Sequence, residues 1–160
     1  PYGVPKGEQR ELDTQNVFRF DPKSGQLTVV IGDMEMPNGL CFSPDEKTLY
    51  VAESFWKTPK VLAFDVSADG ASVTGGRVLR AFDGRTEGVP DGMRCDADGR
   101  LWSSAKDGVH VMAADGKLLG KIRTPETVTN LCFGGPDGQT LYMTGTTSLY
   151  AIGVKVRGAK

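Results

Sequence analysis

The sequence predicts an all-β fold, and three kinds of observation lead to this prediction: frequent tight-turn signals, short strand-forming segments and an internal repeat. Glycine occurs 21 times and proline nine times among 160 residues. Many of these glycines follow an aspartate, as in Asp98-Gly99 and Asp115-Gly116. Asp-Gly pairs supply the positive φ angles of tight hairpin turns, and turns at this frequency leave no room for long helices.

The segments between these turns are short and rich in β-branched and aromatic residues. Many of them alternate apolar with polar residues, as half-buried strands do, and none shows the 3.6-residue apolar periodicity of a helix. The predicted strands cover residues 17–20, 27–31, 48–52, 60–64, 77–79, 100–102, 109–112, 117–122, 140–143 and 148–152.

An internal repeat indicates how these strands are arranged. Residues 36–51, 89–102 and 128–143 each contain a short apolar strand, an Asp-containing turn and a strand with Leu-Tyr or Leu-Trp. Matching positions in successive units are 53 and 39 residues apart. Spacings near 40–50 residues, with about four strands per unit, are typical of the blades of a β-propeller.

The strand count therefore predicts a β-propeller of the six-bladed type, with only about three blades present in this chain. We expect a loop, an outer half-blade, two whole blades and an incomplete last blade, over residues 1–16, 17–31, 36–83, 89–123 and 128–152. An open half-ring would expose two apolar blade faces. We therefore expect missing N-terminal blades to close the ring, with an assembly of two half-rings as the alternative. The 160-residue chain alone is expected to be unstable and inactive.

Composition excludes several classes of partner. The net charge is −1 and the basic residues are scattered, which argues against a nucleic-acid surface. No apolar run approaches the roughly 18 residues of a membrane span. Cys41, Cys95 and Cys132 each stand in an apolar run, so we predict three small buried side chains and slightly favour a reducing compartment. His110, the single histidine, is predicted to be a surface or packed residue.

Three polar residues occupy matching places in the repeated units, each just before an inner strand. They are Asn38, Asp91 and Asn130. Inner strands of a propeller start at the central channel, where two amides and a carboxylate would make an oxygen-rich site for a hard cation. Pro-Asn-Gly and Pro-Asp-Gly are also ordinary turn tripeptides, so the turn interpretation stays open. For Asn130 we favour a turn or a channel-lining role.

The residues around these positions resemble the SMP-30/gluconolactonase/regucalcin-like family, specifically the C-terminal portion of its bacterial gluconolactonase branch. Similar motifs occur in the family's order across nearly the whole chain. They are Pro37-Asn38-Gly39-Leu40 with Thr48-Leu49-Tyr50-Val51-Ala52-Glu53-Ser54, Gly88-Val89-Pro90-Asp91-Gly92-Met93 with Leu101-Trp102, Asn130-Leu131-Cys132-Phe133 with Thr140-Leu141-Tyr142, and the loop-like Pro1-Tyr2-Gly3 with Glu11-Leu12.

The resemblance implies a single divalent cation at the mouth of the channel. Asn38 would be a neutral ligand, and Asp91 would be both a ligand and the general base. Ca²⁺ is the favoured ion, with Zn²⁺, Mg²⁺ and Mn²⁺ as alternatives. The family's first-blade Glu and an earlier Asn have no counterpart in this chain. Glu53 and Glu87 do not sit in the motif of either missing residue and are not assigned to replace them.

The function that the resemblance implies is metal-dependent hydrolysis of a small-molecule sugar lactone of the gluconolactone type. The cation would polarise the lactone carbonyl, and a neighbouring carboxylate would accept the proton of the attacking water. Three alternatives stay open: another lactone or an organophosphate ester as substrate, a non-catalytic calcium-binding or interaction propeller, and an inactive fragment of a parent enzyme.

Overall fold

The computed structural model describes residues 12–159, which form β-strands joined by turns and contain no helix. This confirms the all-β prediction. Thirteen strands occur in this part of the chain: β1 (Gln15–Phe20), β2 (Leu27–Met34), β3 (Pro37–Phe42), β4 (Thr48–Glu53), β5 (Lys60–Val66), β6 (Val73–Ala81), β7 (Met93–Cys95), β8 (Leu101–Ala105), β9 (Gly108–Met112), β10 (Leu118–Arg123), β11 (Val128–Gly134), β12 (Thr140–Gly145) and β13 (Leu149–Gly153). None of the described residues belongs to a helix able to span a bilayer.

The strands form four antiparallel sheets in which neighbours in sequence are neighbours in space. The sheets are β1-β2, β3-β4-β5-β6, β7-β8-β9-β10 and β11-β12-β13. Such meanders arise when short turns join consecutive strands, because a tight turn returns the chain beside the strand it has just left. That these sheets are blades of one ring stays a prediction.

Each sheet packs on the next through apolar side chains, which explains the alternation of the strand segments. The first and second sheets share a core that includes Ile31 and Val51. The second and third sheets share a core that includes Ala63 and Met93. The third and fourth sheets meet around Trp102. The core is therefore a series of layers between sheets, and burial of their apolar surface holds the sheets face to face.

One outer face of the described structure is apolar and exposed. On the sheet β1-β2, Phe18 pairs with Val29 and Phe20 pairs with Leu27. All four side chains are exposed, with Phe20 and Leu27 both 61% accessible. Patches of this kind usually mark surfaces that another element covers.

The structure corrects several strand boundaries, of which that of β6 changes most. β6 was predicted over 77–79 but runs from Val73 to Ala81. Gly75 has a φ of 66° and lies beside a shift of register against β5, so a bulge lets the strand continue through Gly75-Gly76. β1 begins at Gln15, inside the predicted loop 1–16. Residues 1–11 of that loop lie outside the described residues.

The cysteine prediction is wrong at Cys132. Cys95 is buried and Cys41 is half-buried, whereas Cys132 is exposed. Cys132 follows the buried Leu131 on β11, and successive side chains of a strand face opposite sides. An apolar run therefore does not ensure that every member is buried.

A buried carboxylate closes the turn after β7. Asp96 is fully buried and accepts hydrogen bonds from the backbone amides of Asp98 (3.0 Å) and Arg100 (2.9 Å). It also accepts bonds from the Arg100 Nε (2.7 Å) and the Trp102 Nε1 (2.8 Å). With this number of donors the buried charge is satisfied. Asp96 therefore stabilises the end of β7 opposite to Asp91.

Candidate active site

Asn38 and Asp91 lie together at one open cleft of about 550 Å³. Asn38 is exposed on β3, and Asp91 is half-buried in the segment that precedes β7. The two residues come from different sheets and are brought together because the first strands of those sheets are neighbours. The other residues that line the cleft are Gln15, Met36, Pro37, Ser54, Val89 and Thr129.

The glycines after these two residues allow the chains to approach closely. A methyl group at Gly39 would lie 2.0 Å from the Asp91 carbonyl oxygen, and one at Gly92 would lie 2.2 Å from Asn130 Oδ1. Neither glycine is among the residues with positive φ, and Asn38-Gly39 lies within β3. The turn interpretation of Pro37-Asn38-Gly39 is therefore wrong, since its glycine permits close contact between sheets.

The electrostatic environment of Asp91 favours a partner of positive charge. Burial raises the pKa of Asp91, and hydrogen bonding with the Asn38 side chain partly opposes this rise. Within residues 12–159 no cationic side chain contributes to the shift. A half-buried carboxylate that lacks a cationic partner is destabilised in its charged form, and a bound cation would remove that cost.

Asn130 lies beside this pair but does not line the same cleft. Its Oδ1 accepts a hydrogen bond of 2.8 Å from the Leu131 amide. The side chain lines a neighbouring groove with Arg94, whereas Thr129 reaches the cleft of Asn38 and Asp91. Asn130 lies within β11 and not in a turn, whereas a channel-lining role for it stays a prediction.

The two glutamates that were not assigned to the site have other partners. Glu53 accepts hydrogen bonds from the amides of Glu35 and Met36, at 2.9 and 2.7 Å. Glu87 pairs with Arg80 at 2.8 Å and with Lys121 at 2.9 Å. Among residues 12–159, no group of three or more His, Cys, Asp or Glu side chains is placed to hold a metal ion.

His110 lies on β9 of the third sheet and its side chain is packed, which agrees with the packed and not the surface alternative of the prediction. It is fully buried, stacks on Phe82 at 5.3 Å between ring centroids, and contacts Asp107 at 2.6 Å through Nε2. Its Nδ1 has no hydrogen-bond partner among the described residues, with Glu87 Oε1 at 3.9 Å.

The sequence reasoning missed the part that Glu53 and Ser54 play beside the site. Ser54 lines the cleft and donates a hydrogen bond of 2.6 Å from its Oγ to the Pro90 carbonyl oxygen. The sequence contains one signal for this role. When the three repeats are aligned on their Leu-aromatic pairs, the position of Glu53 is occupied by Ala105 and Gly145 in the other two.

Solved structures with a similar arrangement of sheets include a gluconolactonase from Xanthomonas campestris. It superposes with a TM-score of 0.82 and 36% identity, over 91% of this chain and 46% of that protein. A calcium-binding protein, regucalcin, from Agrobacterium tumefaciens superposes with a TM-score of 0.76 and 25% identity, over 89% and 53%. The fold is therefore that of an all-β protein of the propeller type.

The chain belongs to the SMP-30/gluconolactonase/LRE-like family, whose model matches residues 3–147. It is 33% identical over 168 residues to a gluconolactonase of Zymomonas mobilis, covering 99% of this chain and 46% of that relative. It is 36% identical over 131 residues to a pentonolactonase of Haloferax volcanii, covering 80% and 44%. The chain thus spans about half the length of these curated relatives.

Proposed function

We propose that this chain carries the Asn38–Asp91 site of a lactonase that hydrolyses sugar lactones of the gluconolactone type. The observation that carries the proposal is the half-buried Asp91 carboxylate facing the Asn38 amide at an open polar cleft. A cleft of about 550 Å³ is within the range of small-molecule sites. Relatives named gluconolactonase and pentonolactonase support this substrate class.

Asn38 and Asp91 would hold a divalent cation. An amide oxygen and a carboxylate are oxygen donors, which hard cations such as Ca²⁺ and Mg²⁺ prefer. The lack of a cationic side chain near Asp91 within residues 12–159 fits such an ion. Ca²⁺ is the proposed ion, supported by the likeness to a calcium-binding regucalcin, with Zn²⁺, Mg²⁺ and Mn²⁺ as alternatives. When bound, the cation would polarise the lactone carbonyl.

Asp91 would act as the general base. Its carboxylate would accept a proton from the water that attacks the lactone carbonyl. Asn38 would orient the Asp91 carboxylate through its amide while adding no negative charge of its own. The cleft is open on one side, so a sugar ring and water have access to both groups.

The intact protein would be a six-bladed propeller, of which the four sheets are a part. Two observations support this: the relatives are about twice as long, and the sheet β1-β2 has an exposed apolar face at Phe18, Phe20, Leu27 and Val29. Another blade would cover such a face. The partner of the site is a small lactone, and the proposal includes no nucleic acid and no membrane.

The experiment is lactone hydrolysis by the intact protein, followed as acid release from D-glucono-1,5-lactone after chelation and after return of each cation. We expect activity to need the cation and Asp91→Asn to lower kcat by about 100-fold or more, the scale of general-base catalysis. Asp115→Asn, in an exposed turn, is the matched control and should retain wild-type turnover.

Two outcomes would decide against the enzyme as proposed. If Asp91→Asn retained wild-type turnover, Asp91 would not be the general base. A Ca²⁺-dependent rise in Tm without hydrolysis of any lactone tested would favour a calcium-binding protein, the alternative that the regucalcin likeness supports.

A further inference from the structure

Glu53 holds the chain immediately before Asn38. Glu53 is only 3% exposed, and its carboxylate accepts hydrogen bonds from three backbone amides. Met36 donates to Oε1 at 2.7 Å, Glu35 to Oε2 at 2.9 Å and Phe55 to Oε1 at 3.2 Å. Bonds of this kind to an ionised acceptor are among the stronger hydrogen bonds in proteins. Residues 35 and 36 are therefore tied to the end of β4, and Asn38 follows two positions later.

Ser54 holds the chain immediately before Asp91. Its side chain is 7% exposed, and its Oγ donates to the Pro90 carbonyl oxygen at 2.6 Å. The Ser54 amide also donates to the Met36 carbonyl oxygen at 3.0 Å. One dipeptide thus contacts the backbone on the approach to both site residues, which come from different sheets.

The sheet itself does not require these two side chains. The matching positions in the other two repeats are Ala105-Lys106 and Gly145-Thr146, and their second strands, β8 and β12, form without a carboxylate there. The carboxylate occurs only in the repeat that carries Asn38, among the three repeats of this chain. This difference between otherwise similar units points to a role at the cleft.

We propose that Glu53 and Ser54 are positioning residues that set the separation between Asn38 and Asp91. This inference rests on the proposed function, in which those two residues share a cation. Metal ligands must be held within about 0.5 Å of their productive places, and supporting hydrogen bonds supply that precision. Glu53 is the last residue of β4 and Ser54 follows it directly, and the β4 residues from Leu49 to Glu53 are buried, so the frame that the two supports define is rigid.

Substitutions can remove each contact separately. In Glu53→Gln an NH₂ donor replaces one acceptor oxygen, so the amide of Glu35 or Met36 faces a donor. In Ser54→Ala the Pro90 carbonyl oxygen loses its donor. Ser54→Thr retains the hydroxyl and should restore the contact.

Two controls match these changes without touching the cleft. Ser103→Ala removes a buried hydroxyl that bonds the neighbouring Ser104 carbonyl oxygen within β8. Asp96→Asn changes a buried carboxylate that also binds backbone amides, but at the far end of β7. Both should lower Tm, since a buried polar group loses a partner.

The test is calorimetric titration of the intact protein with the cation, among Ca²⁺, Zn²⁺, Mg²⁺ and Mn²⁺, that the wild type binds most tightly. We expect Glu53→Gln and Ser54→Ala each to raise its Kd by about 10-fold or more, the usual effect of losing a support of a ligand. Ser54→Thr, Ser103→Ala and Asp96→Asn should retain the wild-type Kd. Tm is measured in chelator for every variant.

An unchanged Kd in Ser54→Ala and Glu53→Gln, with a Tm lowered as in the controls, would overturn the proposal because the role would then be structural only. If Glu53→Gln does not fold, the proposal is tested by comparing the Kd of Ser54→Ala with that of Ser54→Thr. A wild type that binds the cation without hydrolysing lactone would overturn the proposed function alone, since the Kd comparison needs no turnover. A wild type that binds none of the four cations would overturn both.

Discussion

The backbone of Gly39 packs directly against the main chain of Asp91, so that a methyl group at position 39 would lie 2.0 Å from the Asp91 carbonyl oxygen. This contact joins the first strand of one sheet to the segment that leads into the first strand of the next. A similar close approach occurs one sheet further on, where a methyl group at Gly92 would meet the side chain and the Cα atom of Asn130. Close approach of the backbones is thus what holds Asn38 and Asp91 at one cleft.

Gly39→Ala should separate these two backbones. The added methyl group meets main-chain atoms, which cannot move aside as a flexible side chain would, and such overpacking costs about 1–3 kcal/mol of the free energy of unfolding. We expect a loss of that size in urea unfolding, with weaker cation binding. Gly120→Ala is the matched control, because a methyl group there has no atom within 4 Å. Equal stability of the two variants would contradict the contact.

The environment of His110 predicts a loss of stability in mild acid. Burial lowers the pKa of His110 from its usual value of 6.5, and this effect outweighs the hydrogen bond and charge of Asp107, which raise it. The unfolded chain therefore binds the proton more readily than the folded protein does. The contribution is fully present above about pH 6.5 and is lost as the pH falls below that value. The charged groups around the ring are Asp107, Glu87, Lys121 and Arg80.

Urea unfolding between about pH 8 and pH 5 checks this expectation. His110→Gln retains a donor for Asp107 but does not titrate, so its stability should decline less over that interval. Glu87 titrates at lower pH. Burial raises the pKa of Glu87, but its hydrogen bonds from Lys121 and from the Asp83 backbone lower the pKa by more, so that it lies below its usual value. A decline in His110→Gln as steep as in the wild type would assign the effect to other groups.

The three cysteines should differ in reactivity. The Sγ atoms of Cys41 and Cys95 are 3.9 Å apart, on the first strands of neighbouring sheets. Hydrogen bonding to Cys95 and burial both raise the pKa of Cys41, so its thiolate is scarce. Thiolates are the reactive form, and Cys132 is exposed. A maleimide should therefore label Cys132 first in the native protein and all three cysteines in urea.

Mass spectrometry of the labelled peptides gives the measurement, and Cys132→Ser is the control that should leave the native protein almost unlabelled. Rapid native labelling of Cys41 would show that the space between the two sheets opens to solvent, contrary to the packing observed.

The sequence predicted those features of the fold that depend on local patterns and missed those that depend on pairing between strands. Strand positions depend on local alternation and turn residues, so β4, β5 and β9 were predicted within a few residues. β6 was predicted too short because Gly75-Gly76 reads as a loop when the pairing with β5 is unknown. Cys132 was predicted to be buried because an apolar run does not reveal which side of β11 faces the neighbouring sheet.

The candidate site was also predicted only in part. Repeat positions indicated Asn38, Asp91 and Asn130, and the family resemblance singled out the first two. The structure brings Asn38 and Asp91 to one cleft, whereas their roles in binding and catalysis stay predictions. Asn130 occupies the matching repeat position but lines the neighbouring groove. Its Oδ1 accepts a hydrogen bond from the Leu131 amide, a local contact that repeat spacing does not reveal.

The sequence by itself determined the all-β class and the family and singled out Asn38 and Asp91 as a predicted site, because these depend on local patterns and on the residues of short motifs. Only the tertiary structure decided why Gly39 and Gly92 are glycines and how Glu53 and Ser54 reach the segments before the two site residues. Those facts depend on contacts between sheets. Such contacts join residues far apart in the sequence, 36 positions for Ser54 and Pro90 and 52 for Gly39 and Asp91, and arise only when one sheet packs on the next.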